Sequence, residues 1–347
     1  MKKNLPLKIL MNSVLLILII GLIFYTMDSS LTTIFTQLLK TSWLVILAII
    51  LLGFIYQWIE GHSIKAIAKY FQPKFSKVDG FFTSCQIAFY RVISFGTATF
   101  VSEVYFYKKQ GIAISKGIGI SAMHLIMYKS AIIFWAIVGF IFKFSSLHQQ
   151  MPKMIPFLIF GIIITGLIVL SLLLLSSSLN VQIFFVYWTN KWIKHPKLRS
   201  WVDNCNLQIY SLRETVQTIT KNRSAFLPIF GWNIIKLLFW YMIPYVFLVI
   251  DHPKIDFFLV LFLTNLAIIL SGIIPTPAGI GSFEFIYLLL FTPLVGEVDA
   301  IASVLIYRFG SFVFPFLIGM FYTINQKYKE LKIDILNNKK NKEYKLK

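Results

Sequence analysis

The chain has 347 residues, of which 57% are hydrophobic and only 14% charged, and its mean hydropathy is +0.75. A soluble globular domain averages about 25% charged residues, so this composition excludes one and predicts an all-α polytopic membrane protein. The formal net charge of +19 would suit nucleic acid, but the basic residues sit in short segments beside apolar runs and form no single stripe, so no nucleic acid is expected to bind directly.

Met1-Lys2-Lys3 precedes an apolar run from Ile9 to Met27 that has the charge order of a signal peptide. The run is long and lacks an A-x-A-like exit, which predicts an uncleaved first span. Further stretches near Thr41–Ile59, Gly117–Phe142, Ile155–Leu179, Ala225–Ile250 and Ala300–Ile324 reach the roughly 20 residues needed to cross a bilayer, giving about six full transmembrane helices. Two stretches are irregular. Phe81–Val101 carries Arg91, Gly96 and several Ser/Thr positions; Phe257–Val295 is too long for one span and is split by Pro275, Pro277, Gly279 and Gly281. Both are expected to be re-entrant helical hairpins, because non-helical chain at membrane depth survives only where protein buries it or a wet cavity adjoins it.

The distribution of Lys and Arg sets the expected topology. Lys2, Lys3 and Lys8, the loop with Lys65, Lys69, Lys74 and Lys77, and the central loop from Lys191 to Arg223 belong on the cytoplasmic side. The basic tail from Lys327 to Lys347 joins them only if each irregular stretch enters and leaves on one side. The chain then divides into a first half (1–179, which includes the start of the second repeat at 155–179), a cytoplasmic amphipathic connector (180–223), the rest of the second repeat (224–326, with an outside hairpin at 257–295), and a basic cytoplasmic tail (327–347). Both termini are cytoplasmic, and the halves form an inverted repeat. Weak internal similarity agrees: Gly96-Thr97-Ala98-Thr99 precedes Glu103 as Thr276-Pro277-Ala278-Gly279 precedes Glu284, and Tyr128-Lys129 leads to Gly139 as Tyr307-Arg308 leads to Gly319.

The candidate functional residues are the ionisable groups in or beside apolar segments: Arg308, Glu284, Lys129, Glu103, Arg91 and Lys236. Each costs about 2.5–3.5 kcal/mol to insert, so each must be paired, hydrated or used. The expected arrangement has Arg308 and Lys129 holding a phosphate, with Glu284 and Glu103 orienting them or meeting a cationic headgroup. For Glu284 the structural alternative is a cap on the amides that open the short second limb. Lys236 and Arg91 can equally snorkel to water, and His124, alone on an apolar helix, reads as a hydrogen-bonded core residue. Cys85 and Cys205 lack metal or C-x-x-C spacing, and neither a metal nor a cofactor is expected. No Walker loop, nucleophile elbow or Rossmann fingerprint occurs.

Pro275-Thr276-Pro277-Ala278-Gly279-Ile280-Gly281 with Glu284, followed by Leu305-Ile306-Tyr307-Arg308 and Pro315 through Gly319, resembles the P-x-P-G-G-x-G-x-x-E and L-x-Y-R signatures of the lysylphosphatidylglycerol synthase transmembrane family. The stretch Gly96 to Gly111, with Tyr105 and Lys108-Lys109-Gln110-Gly111-Ile112, is similar to the family's other signature, although Ala278 stands where glycine is usual. The resemblance implies a flippase-like domain that moves anionic or aminoacylated phospholipid between the leaflets of a bacterial plasma membrane. It also implies a separate aminoacyltransferase as partner, since only about 20 polar residues follow Ile324 where a catalytic domain would need 100–200. The alternatives are a phosphatidylglycerol lysyltransferase-related role in synthesis, a carrier of polyprenyl phosphate or another anionic amphiphile, and a membrane scaffold.

Overall fold

A computed structural model describes residues 31–345 apart from 95, 97–98, 151, 194–198, 200–201, 204–209, 211–212, 220–222, 275 and 277–278. The expected first span (Ile9–Met27) and the breakers Pro275 and Pro277 lie outside the described residues. The regular structure described is helical throughout: α1 (Leu31–Lys40), α2 (Trp43–Ala68), α3 (Lys77–Ile93), α4 (Thr99–Lys109), α5 (Ile114–Gln150), α6 (Ile155–Ser177), α7 (Leu179–Trp192), α8 (Arg223–Asp251), α9 (Phe257–Ser271), α10 (Ser282–Val295), α11 (Glu297–Arg308) and α12 (Phe314–Lys345). Five helices among the described residues are long and apolar enough to cross a bilayer: Trp43–Ala68, Ile114–Gln149, Pro152–Leu174, Phe226–Asp251 and the continuous rod Glu297–Lys332. The chain is therefore a multi-pass membrane protein.

Both irregular stretches are pairs of short helices around a break. The first pair, α3 and α4, runs to Lys109, so its second limb continues past the expected end at Val101 and carries Glu103 in its interior. The extension follows from Val104, Phe106 and Tyr107, which keep an apolar face on the core until Lys108-Lys109 ends it. The second pair, α9 and α10, matches the expected limits. The first limbs open on side-chain caps. Ser76 and Asp79 form a capping box on α3, and Asp256 accepts from the Leu259 amide on α9 at 2.8 Å.

Packing among these helices cannot rest on hydrophobic transfer alone, because lipid tails are as apolar as leucine. Close approach and internal hydrogen bonds take its place. A side chain on Gly139 of α5 would lie 2.0 Å from the Phe262 ring on α9, and one on Gly319 of α12 would lie 2.0 Å from the Cys85 carbonyl on α3. Each long helix thus packs on the first helix of a pair distant from it in the chain, α5 on α9 and α12 on α3. Asn265, buried on α9, donates to the Ile132 carbonyl of α5 and accepts from the Tyr241 hydroxyl of α8 at 2.6 Å, joining three helices. Asn233 to Ser63 (2.8 Å) and Gln57 to Ser84 (3.0 Å) hold α8, α2 and α3 together.

The connector turns inward at its C-terminal end. Val216 and Ile219 are buried against Ile64, Ile67 and Ile120, and Lys116 pairs with Glu214. Trp188 and Trp192 on α7 remain exposed. Between α11 and α12 the rod widens into a π turn at Phe309–Val313. Pro315 removes the amide that would have met the carbonyl four residues earlier, and the turn absorbs the mismatch.

Candidate functional site

A cavity of about 340 Å³ lies against the break of the first hairpin. Tyr56, Gln57 and Glu60 reach it from α2; Arg91, Gly96, Thr99 and Glu103 from the hairpin; Ser121, His124 and Tyr128 from α5; Trp240 from α8; and Ser311 and Pro315 from the π turn and its proline. Gly96 makes the break possible. Its φ of 82° belongs to the left-handed region, its amide reaches back to the Arg91 carbonyl at 2.8 Å, and its carbonyl accepts the Thr99 hydroxyl at 2.9 Å. Both backbone polar groups of Gly96 are thereby satisfied where the chain leaves α3 and starts α4.

Charges on four helices converge on this wall. Glu60 accepts from Lys236, whose side chain is completely buried on α8. Its other carboxylate oxygen lies 3.2 Å from His124 Nε2, while His124 Nδ1 lies 3.7 Å from Glu103, which also accepts from the Tyr107 hydroxyl at 2.9 Å. Arg91 lines the cavity with no carboxylate partner among the described residues and is exposed at its edge. Ser121 Oγ and Trp240 Nε1, buried in the same wall, also lack hydrogen-bond partners. A guanidinium, an indole N–H and a hydroxyl are thus left over to bind something polar.

The other sequence-predicted residues gather at the second hairpin. Arg308 Nε donates to Glu284 at 2.5 Å, and its Nη2 donates to the Gly279 carbonyl at 2.6 Å. Glu284 also accepts from the Gly281 amide at 2.7 Å, so it does act as the cap that opens α10. Gly279 (φ 72°) and Gly281 (φ 89°) adopt the backbone geometry this corner needs. The Lys129 ammonium ends beside Gly272, at the C-terminus of α9, where the helix dipole favours a cation. Lys129 does not meet Glu103, and none of the described residues among 257–295 lines the cavity, so in place of the expected single groove shared by both hairpins the described residues form two neighbouring polar places. A ladder of rings links them: Tyr56 to Trp240 (4.7 Å between centroids), Trp240 to Tyr307 (6.0 Å) and Tyr307 to Phe283 (5.0 Å), with Arg308 over Phe283 at 4.6 Å.

Sequence reasoning passed over Glu60, since it falls near the end of an apolar span and looks like an interfacial carboxylate. The findable signal was its partner, because a lysine buried as deeply as Lys236 requires an acid. From sequence His124 reads as a hydrogen-bonded core residue, whereas it sits between acids from α2 and α4.

Residues 9–319 match the family model described as the lysylphosphatidylglycerol synthase TM region. No curated protein matches the chain.

Proposed function

The chain belongs to the lysylphosphatidylglycerol synthase TM region family, and on that premise we propose that it translocates an anionic or aminoacylated phospholipid between the leaflets of the plasma membrane. The observation that carries this reading is the cavity at the broken first hairpin, which sets Arg91, Trp240 and Ser121 as unspent donors opposite the carboxylates Glu60 and Glu103. A phosphate diester meets the donors, and an ammonium on the headgroup meets the carboxylates and the faces of Tyr56 and Tyr128. Such a mixed lining favours a headgroup over a purely apolar ligand, since its polar groups would otherwise stay unpaired at membrane depth.

In this reading the two hairpins are re-entrant and gate opposite faces. Tyr128 lines the cavity while its neighbour Lys129 reaches the second hairpin. A headgroup can therefore pass from Arg91 toward Lys129 without leaving cationic surroundings, its acyl chains staying in lipid. A separate aminoacyltransferase supplies the headgroup where the lipid is aminoacylated.

The test is reconstitution into liposomes that carry fluorescent phosphatidylglycerol in one leaflet, with transfer read by quenching. Wild type moves the lipid, and Arg91→Ala slows transfer by about tenfold or more, the usual worth of a charge-assisted hydrogen bond at about 1.5–3 kcal/mol. Transfer no faster than in empty liposomes would end the proposal.

A further inference from the structure

His124 stands between acids from two different helices, with Glu60 3.2 Å from Nε2 and Glu103 3.7 Å from Nδ1. Each acid already has another partner: Lys236 for Glu60 and the Tyr107 hydroxyl for Glu103. Nε2 itself has no hydrogen-bond partner despite its closeness to Glu60. Beside it in the cavity wall, Ser121, only 2% exposed, carries a hydroxyl that is likewise unpartnered. The imidazole thus stands with a carboxylate facing each ring nitrogen, and it adjoins a space large enough for water.

The charges around it add up simply. Glu60 and Lys236 cancel, leaving Glu103 and the imidazole. With His124 neutral the group carries one negative charge; with one proton added it carries none. The other titratable groups that line the cavity or touch the cluster are Tyr56 on α2, Arg91 on α3, Tyr107 on α4 and Tyr128 on α5, and of these only Arg91 is charged, at the cavity edge; Lys129, next to Tyr128, turns away to Gly272.

We propose that His124, with Glu103 and the Glu60–Lys236 pair, is a proton-binding site of the cavity that couples lipid movement to proton movement. This rests on the translocation reading above and names its driving ion. A proton passes from cavity water to the free imidazole nitrogen and returns from the imidazolium to water later in the cycle, so no other reactant is needed. An anionic headgroup beside Arg91 is repelled by the unprotonated cluster and tolerated by the protonated one. Headgroup and proton therefore favour each other's binding, and the favour is reciprocal. The expected mode is movement of an anionic phospholipid together with a proton.

The experiment uses the full chain in liposomes with fluorescent phosphatidylglycerol and a lumenal pH dye, under a gradient of about two pH units set in either direction. Wild type should move lipid about tenfold or more faster with the acid on the donor side than on the acceptor side, within the roughly 100-fold bound that one proton per lipid allows. His124→Gln and Glu103→Gln should bring that ratio to about one, whatever their absolute rates; Glu103→Gln keeps an oxygen for Tyr107 and serves if His124→Gln does not assemble. A wild-type ratio of one with lipid still moving overturns the coupling and leaves translocation standing. A ratio that survives both substitutions also overturns it. If no lipid moves under any gradient, the translocation reading falls, and the coupling falls with it.

Discussion

Lys236 shows most plainly what a single side chain does in this protein. Its side chain has no exposed surface, and Glu60 is its counter-ion. Replacing Glu60 by Gln would leave a buried ammonium unpaired, which costs about 3–5 kcal/mol, whereas Glu60→Gln combined with Lys236→Met removes both charges and should recover most of the loss. Thermal unfolding of the detergent-purified variants measures this, and an additive double variant would show that the two residues do not act as a pair. Arg308 differs in kind. Its guanidinium spans two acceptors, the Glu284 carboxylate and the Gly279 carbonyl, in a geometry a lysine cannot reproduce.

At the scale of elements, the close helix crossings and the helix caps carry the arrangement. Gly319 faces the backbone of α3 with no room for a methyl group, since the Cys85 carbonyl lies 2.0 Å from where it would be. Gly319→Ala should therefore lower stability by about 1–3 kcal/mol by forcing α12 away from the first hairpin, read as a fall in the unfolding temperature. Gly139 meets the buried Phe262 ring, whose Cγ lies 2.5 Å from an added methyl, so an alanine there forces Phe262 to move within the core and should also lower stability. The cap of α9 responds to acid. Partial burial raises the pKa of Asp256, but its hydrogen bond from Lys143 and the Leu259 amide prevail and hold it below the usual aspartate range. A depressed folded-state value means the contribution is present above the unfolded pKa and lost as pH falls through the folded one. A stability profile in acid should show this loss in wild type and lack it in Asp256→Asn.

For the whole molecule, the proposed re-entrant arrangement makes a prediction about sides. In a background lacking Cys85 and Cys205, cysteines at Lys74 and Ala113, which flank the first hairpin, should react with an impermeant thiol reagent from the cytoplasmic face. Cysteines at Lys254 and Glu297, flanking the second, should react only from outside. Labelling of Lys74 and Ala113 from opposite faces would show that this stretch crosses the bilayer, and the inverted repeat would fail with it. The exposed rings of Phe142, Phe160 and Phe321 form part of the surface that lipid covers in either case.

The apolar spans found among the described residues, the two breaks and the family membership were legible in the residues, because apolar length, proline, glycine and short motifs are local properties that a bilayer punishes or rewards locally. So were Arg91, Glu103 and Gly96 as parts of one polar place, and the capping role of Glu284. The partners were not legible. Lys129 and Glu103 stand on consecutive helices yet turn to different hairpins, while Glu60, His124 and Lys236, scattered across three helices, form one charge cluster. Which face of a uniformly apolar helix turns inward leaves almost no periodic trace when lipid and protein interior are equally apolar. Only the packing of α2, α4, α5 and α8 on one another, tied by contacts such as Asn233 to Ser63, decided which charges would meet.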